Sequence, residues 1–502
     1  MADLADIYGG DASFNPSLFA AIEQGLIHSR HEPAVVVRHQ AAGHLSDIVE
    51  RGEAEANDCI RWTFDQLHKA AVRVAKGLLD AGVPQGSIIV TFTANNAEWL
   101  LLLWALALAK IGVSSLDPGS LSPARRGELA SYLTGVKPSA IILGNEQGTK
   151  VIDDMLKECK LDCKIKILFQ GQQNKVPGWT TLTQMTPSYP AADDSALSSS
   201  ARTDDPNRIA FILYTSGTSS GKPKGCPRTT ECVVVSTLNQ HFQKPGRTKS
   251  VRRLLHTANF RVIAPLMTMR AWSTGACIVM PGPGFQPRTA LDAIEQERVT
   301  DSLFIPAQLH ALAADPSIGE RDLSCVDLIM SGGDIVTRAL IQKSRGIFPN
   351  AGWMTGHGMT EGGGFFQWDF WDREDKLPCH GDISALGRVN KCTRLRINQD
   401  GRTVKRGETG ELQIQSPGVI SEYLGGTNAD SWVTDDQGTW FRTGDLGMID
   451  KDSYVYILGR LKDIIKRAAV TLTPAAIESC LQAFTGTQVC YLALIIWGKS
   501  AD

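Results

Sequence analysis

The chain has 502 residues, of which 43% are hydrophobic and 21% charged, the balance of an ordinary globular protein long enough for more than one core. A formal net charge of -2 gives no electrostatic case for nucleic acid or for an anionic membrane surface. Eleven scattered cysteines do not read as a disulfide framework. The closest pair, Cys159 and Cys163, has no histidine or second cysteine pair nearby to complete a zinc site, so a reducing, cytoplasmic setting is expected.

No basic start followed by an apolar core opens the chain, so no secretory signal is visible, and Lys499–Asp502 is not a peroxisomal address. Residues 61–118 alternate between helical and strand-like patterns. Trp62-Thr63-Phe64 leads into a helical pattern through Leu67, Ala71, Val74, Leu78 and Leu79, and Ile88–Phe92 is a short β-rich run. Trp99–Ala109 is the most apolar stretch; it is too short to span a bilayer and reads as a buried helix. Ile111–Leu116 is strand-like, and Ser139–Leu143 and Lys164–Phe169 add two more short strands. Strand and helix in such alternation predict a mainly parallel, helix-covered sheet. Residues 184–207, rich in Ser, Asp, Ala and Pro, read as a loop into the next unit.

The apolar run Phe211-Ile212-Leu213 then ends in YTSGTSSGKPKG, residues 214–225. Gly217, Gly221 and Gly225 let the backbone turn tightly, the hydroxyls of Thr215, Ser216, Thr218, Ser219 and Ser220 add donors, and Lys222 and Lys224 add charge. That chemistry suits a polyphosphate, although a flexible surface loop has the same composition. A Walker loop is excluded, because Gly217 and Gly221 enclose three residues rather than four and Pro223 follows Lys222. The stretch resembles the signature loop of the adenylate-forming superfamily: acyl- and aryl-CoA synthetases, peptide-synthetase adenylation domains and luciferase.

Further resemblances follow in the family's order over roughly residues 60–480. Cys232–Leu291 contains no Asp or Glu but many basic residues, and the cluster from 244 to 253 reads as a basic surface. Ile263–Trp272 resembles the family's Pro-Leu-Phe-His element beside the acyl pocket, with Met267 at the aromatic position and Thr268 at the histidine position. The pocket residues so implied are Met267, Thr268, Arg270 and Trp272. Leu328–Asp334 is a β-run ending in Gly-Gly, which allows backbone to approach a flat base, and resembles the adenine-binding turn. GHGMTE, residues 356–361, resembles the family's Tyr-Gly-Met-Thr-Glu motif; His357 stands for the aromatic and either stacks on adenine or fills space. From 385 to 459 short strands and Gly-rich turns predict a small β subdomain, within which Trp440–Asp445 matches the Arg-Thr-Gly-Asp motif. Gly459–Lys466 resembles the hinge, with Ala469 where the family has glycine.

The resemblance implies an α/β fold: a large N-terminal domain, residues 1–459, of two helix-covered, mainly parallel sheets plus the β subdomain. Residues 460–502 would hold the hinge and a short remnant of the mobile C-terminal α+β domain. It implies Mg·ATP, with Thr215, Ser216, Gly217, Thr218, Ser219, Gly221 and Lys222 at the phosphates. Gly332, Gly333, Asp334, His357, Gly358, Met359 and Thr360 would contact nucleotide, Glu361 would hold Mg²⁺, and Asp445 and Arg460 the ribose. Lys222, Thr360, Glu361 and Lys466 are the implied catalytic set, and Lys462 the pivot. About forty residues follow the hinge, below the length at which a small domain ordinarily stands alone; a truncated or specialised C-terminal domain is therefore expected. The implied reaction is activation of a carboxylic acid to an acyl-adenylate, then thioester formation with CoA or a carrier-protein phosphopantetheine; a nucleotide-binding remnant is the alternative. Because the acid-free stretch offers no partner for an α-amine, whose unpaired burial is costly, an acid lacking that amine is expected. Met267, Met269 and Trp272 suggest an apolar or aromatic tail, and Arg270 a second carboxylate.

Overall fold

A computed structural model describes residues 3–50, 58–170, 176–186, 194–215, 223–238, 251–426, 429–467 and 470–472. Two seven-stranded sheets carry the larger part of the chain. The first runs, edge to edge, Gly225–Thr229, Ile209–Tyr214, Gly112–Leu116, Ile88–Phe92, Ala140–Leu143, Ile165–Leu168 and Thr180–Thr181. Its pairings are parallel except for the hairpin that returns Gly225–Thr229 along Ile209–Tyr214. The second runs Gly352–Gly356, Leu328–Gly332, Asp301–Phe304, Arg252–Leu254, Cys277–Met280, Pro33–Val37 and Ile60–Thr63, with only the last pair antiparallel.

The core lies between these sheets and is dominated by helices with no polar face. Ala97–Ala109 is buried at every position, because nothing in Ala-Glu-Trp-Leu-Leu-Leu-Leu-Trp-Ala-Leu-Ala-Leu-Ala calls for solvent except Glu98. The Asn96 side chain accepts from the Trp99 amide at 2.8 Å to start this helix, and left-handed Lys110 (φ 53°) ends it. Its Trp104 meets Trp272 of Ile263–Ser273 with ring centroids 5.1 Å apart. Glu98, fully buried, accepts from Gln40 Nε2 at 2.8 Å and Gln170 Nε2 at 3.2 Å, and lies 2.6 Å from His44 Nε2. The one acid of the helix is thus satisfied, as a buried charge must be.

A third, antiparallel sheet holds Arg394–Gln399, Thr409–Gln415, Gly438–Ile449, Trp432–Asp435 and Val455–Arg460. Its far edge is completed by Asp6–Tyr8, paired Asp6↔Arg396 and fastened by Arg394 to Asp6 at 2.7 and 2.9 Å. The expectation of a β subdomain confined to 385–459 therefore missed a strand from the start of the chain.

Two other expectations change. Asp194–Ala201 is helical, so 184–207 is not loop throughout. Arg252 and Arg253 are not part of a basic surface: Arg252 pairs with Glu297 at 2.9 Å, and buried Arg253 with Asp301 at 3.3 Å. Residues 244–250 lie outside the described residues.

Candidate active site

The signature hairpin and the segment after strand Gly352–Gly356 both meet the antiparallel sheet and its connections, through Leu424 N to Gly225 O, the bridge Gly362–Val419 and the contact of His357 with Asp445. Thr215 N donates to Lys224 O at 3.0 Å and Lys224 N to Thr215 Oγ1 at 3.1 Å, closing the neck of the loop. Ser216, Gly217, Thr218, Ser219, Gly221 and Lys222 lie outside the described residues.

Strand Leu328–Gly332 ends beside strand Gly352–Gly356 with Gly332 opposite Gly356. A Cβ on Gly332 would stand 2.1 Å from Gly356 O, so only glycine permits this approach. Gly333 follows at φ +82°, turning the backbone out of the sheet, and the exposed Asp334 accepts from the Ile335 amide. Beyond Gly356 the chain passes His357 and Gly358 into a tight turn in which Met359 N donates to Gly362 O at 2.9 Å and Gly362 N to Met359 O at 3.2 Å. Thr360 and Glu361 are held at its tip. One oxygen of Glu361 accepts from the Tyr423 hydroxyl at 2.6 Å.

From the antiparallel sheet, Asp445 and Arg460 lie on paired strands in direct register. Arg460 Nε is 3.0 Å from Asp445 Oδ1, and Arg460 Nη1 donates to Thr443 O at 2.9 Å. His357 Nε2 lies 3.4 Å from the other Asp445 oxygen. The histidine thus sits against the acid, 5.9 Å edge-on to Phe366, and its Nδ1 finds no partner among the described residues. Lys462 is exposed in the turn Leu461–Asp463, and Lys466 lies on strand Ile465–Arg467, its side chain outside the description.

A cavity of about 130 Å³ lies between helix Ile263–Ser273 and the Gly356–Gly364 segment. Leu266, Met267, Met330, Phe366 and Trp368 supply apolar wall, and Gly332, Gly333, His357, Gly358 and Met359 also line it. Arg270 lines it too and is buried. Thr268 and Trp272 do not. Thr268 is buried, donating to Ala264 O at 2.8 Å, and Trp272 points into the core, donating Nε1–H to Ala34 O at 3.3 Å. The reason is helical: Pro265 falls in the first turn of Ile263–Ser273, where it is tolerated, and the helix then sends 267 and 270 one way and 268 and 272 the other.

The sequence also hid an acid. Asp301 comes from outside the acid-free stretch, on the strand paired with Arg252–Leu254, and stands in register with Arg253. Its charge acts on Arg270 as well: burial first and Arg253 second push the Arg270 cation toward losing its proton, and Asp301 opposes them. Arg253 and Asp301 themselves form an ion pair at 3.3 Å and do not line the cavity; of the three, only Arg270 does. Tyr423 was also passed over, since a tyrosine before Leu-Gly-Gly carries no sequence signal of its own; only the fold brings it to Glu361. His256, in the turn after Arg252–Leu254, stacks on Phe304 at 4.8 Å, and burial lowers it to about 4, so it is a neutral packing group. Asp58, Cys59 and Glu297 have ligand atoms within 4.8 Å of one another, but Arg61 bonds both carboxylates, making an ion-pair cluster.

The AMP-binding enzyme family matches residues 37–424. The chain belongs to that family. An acyl–CoA ligase of Pestalotiopsis microspora is 34% identical over 98% of this chain and 86% of its own length. The indoleacetate–CoA ligase of Aromatoleum aromaticum is 28% identical over 84% of this chain and 77% of that ligase. In fold, the anthranilate CoA ligase AuaEII, solved with anthranoyl-AMP, superposes with a TM-score of 0.74 at 19% identity, over 94% of this chain and 83% of that one. The chain is thus an AMP-binding enzyme with CoA-ligase relatives and the two-sheet architecture expected of them. Among the described residues no helix is long and apolar enough to cross a membrane.

Proposed function

We propose that this protein is an acyl- or aryl-CoA ligase: it joins a carboxylic acid to the α-phosphate of ATP, releases pyrophosphate, and passes the acyl group from AMP to the thiol of CoA. The observation that carries this reading is that three nucleotide-type features from separate parts of the chain come together: Gly332-Gly333 and the turn that carries Glu361 border one cavity, and the Asp445–Arg460 pair meets it through His357.

Each feature has a task in such a reaction. The close backbone approach at Gly332 leaves room for a planar base. Asp445, already held by Arg460 and beside His357, accepts from ribose hydroxyls, and its rigid seat fixes the nucleotide for attack. Glu361 offers a carboxylate oxygen, the donor Mg²⁺ takes, so it would hold the ion that supplies charge stabilisation along the phosphates. Thr215 stands at the neck of the phosphate loop; Ser216, Thr218 and Lys222 beyond it, Thr360 at the turn, and Lys462 and Lys466 at the hinge, are assigned on resemblance. The apolar wall of Leu266, Met267, Met330, Phe366 and Trp368 favours an acid with an apolar or aromatic tail, and Arg270 in the same lining suits an anionic substituent. The division after Gly459 and a cytoplasmic site of action complete the proposal; the nine cysteines among the described residues are all unpaired, as a reducing compartment requires.

The deciding experiment is pyrophosphate release by the 502-residue chain with Mg·ATP and a panel of carboxylic acids, ATP binding being measured alongside. Release with one acid class, followed by thioester when CoA but not a carrier protein is added, is expected. ATP binding without release from any acid would overturn the ligase reading in favour of a nucleotide-binding protein.

A further inference from the structure

We propose that Tyr423 is a positioning residue that fixes the Glu361 carboxylate and locks it to the base of the phosphate loop. The inference rests on the reading of Glu361 as the metal-side carboxylate.

Tyr423 lies in the segment joining Thr409–Gln415 to Trp432–Asp435, far in sequence from either partner, and is buried. Its hydroxyl donates to Glu361 Oε1 at 2.6 Å. The ring is held edge-on by Trp432 at 5.5 Å, and Trp432 in turn by Phe441 at 5.4 Å, so the phenol cannot swing away without disturbing two aromatic contacts. On its other side Lys224 Nζ stands 5.0 Å over the ring. The backbone repeats the connection: Leu424 N donates to Gly225 O at 2.8 Å, and Ile420 N to Glu361 O at 2.9 Å. Residues 420–424 therefore bond the signature hairpin on one side and the Glu361 turn on the other.

A glutamate on a turn has several rotamers, and ordering it on metal binding costs free energy. A phenol that already holds one oxygen removes that cost and aims the other. Groups behind a metal ligand act in this way, and losing one commonly weakens metal affinity by 10- to 100-fold. A merely structural tyrosine would do something else: removing its hydroxyl would change stability and leave metal affinity alone.

The test uses the full chain with ATP and Mn²⁺ as a paramagnetic stand-in for Mg²⁺, bound metal being counted by EPR. Tyr423→Phe is expected to raise the Mn²⁺ Kd in the ATP complex by roughly 10- to 100-fold, with ATP binding in EDTA unchanged. Mn²⁺ affinity within twofold of the wild type, while Glu361→Gln loses it, overturns the role of Tyr423 and leaves Glu361 as the metal ligand. If Glu361→Gln also keeps full Mn²⁺ affinity, the metal-side reading fails and takes this proposal with it. Should Tyr423→Phe not fold, 3-fluorotyrosine placed at 423 keeps the question open to measurement: adding Mg²⁺ to the ATP complex must shift its fluorine resonance, and an unmoved resonance overturns the proposal.

Discussion

Arg270 lines a largely apolar cavity, and the charges of Arg253 and Asp301 act on it. On the proposed role of Arg270, an acid whose far end carries a carboxylate or other anion is preferred over one with a plain hydrocarbon tail. We expect Arg270→Met, close in length and apolar, to cut kcat/KM for acids with a distal anion by about 10- to 100-fold, the range of a charge-assisted hydrogen bond. The value for the corresponding neutral acid should change far less. The ratio of the two, measured by pyrophosphate release, is the informative quantity, because a general loss of packing would lower both together. An unchanged ratio removes Arg270 from substrate recognition. At this scale the sequence served well where the feature lies in the residues themselves, as in the close backbone approach at Gly332-Gly333. It served badly where the partner is distant: Asp301 reaches Arg253 only through the pairing of parallel strands, and no local pattern announces that.

Among the elements, the apolar run Trp99–Ala109 was readable as a buried helix because its length and composition leave few alternatives, and the helix found is Ala97–Ala109. Ile263–Ser273 was harder. Its likeness to a pocket-lining motif said nothing of its secondary structure; its proline falls in the first turn, where it costs little, and the segment winds into a helix that buries Trp272 against Trp104. The first of these helices carries a titratable device at its start. Hydrogen bonding to Glu98 raises His44 above its ordinary 6.5. That contribution to stability is complete below the unfolded-state value and is lost as pH rises through the raised one. Burial pushes Glu98 up, but the bonds from His44 and Gln40 more than offset this and hold it below its ordinary 4.5, so its share is lost as pH falls through the lowered value. The pair supports the fold best between those limits. Replacing His44 by Gln should cost about 1–3 kcal/mol near pH 6. The difference in Tm from the wild type should shrink by pH 9; a constant difference across that span would show that the charge of His44 is irrelevant.

On the scale of the whole molecule, the antiparallel sheet is built from opposite regions of the chain. Asp6–Tyr8 covers the edge of Arg394–Gln399, which would otherwise present unpaired backbone to other molecules. Removing residues 1–9 should therefore lower Tm and raise light scattering on gentle heating, while Arg394→Gln, which loosens the Asp6 contact but leaves the strand, should do so only weakly. A shortened chain that stays monodisperse with an unchanged Tm would show that the strand is dispensable.

That pairing also sets an order of assembly in the cell. Asp6 and Arg396 are 390 positions apart (396 − 6), so at roughly 5–20 residues per second a ribosome needs about 20–80 s between making one and the other. Throughout that interval the opening strand has emerged with no partner to receive it. Its brevity, and the acid at its head, keep it from being a strong site for pairing with a neighbouring nascent chain. The protein thus completes this sheet only when synthesis is more than three-quarters done, and a stalled product shorter than that would carry both sheets' worth of buried helices but leave its own beginning unsecured.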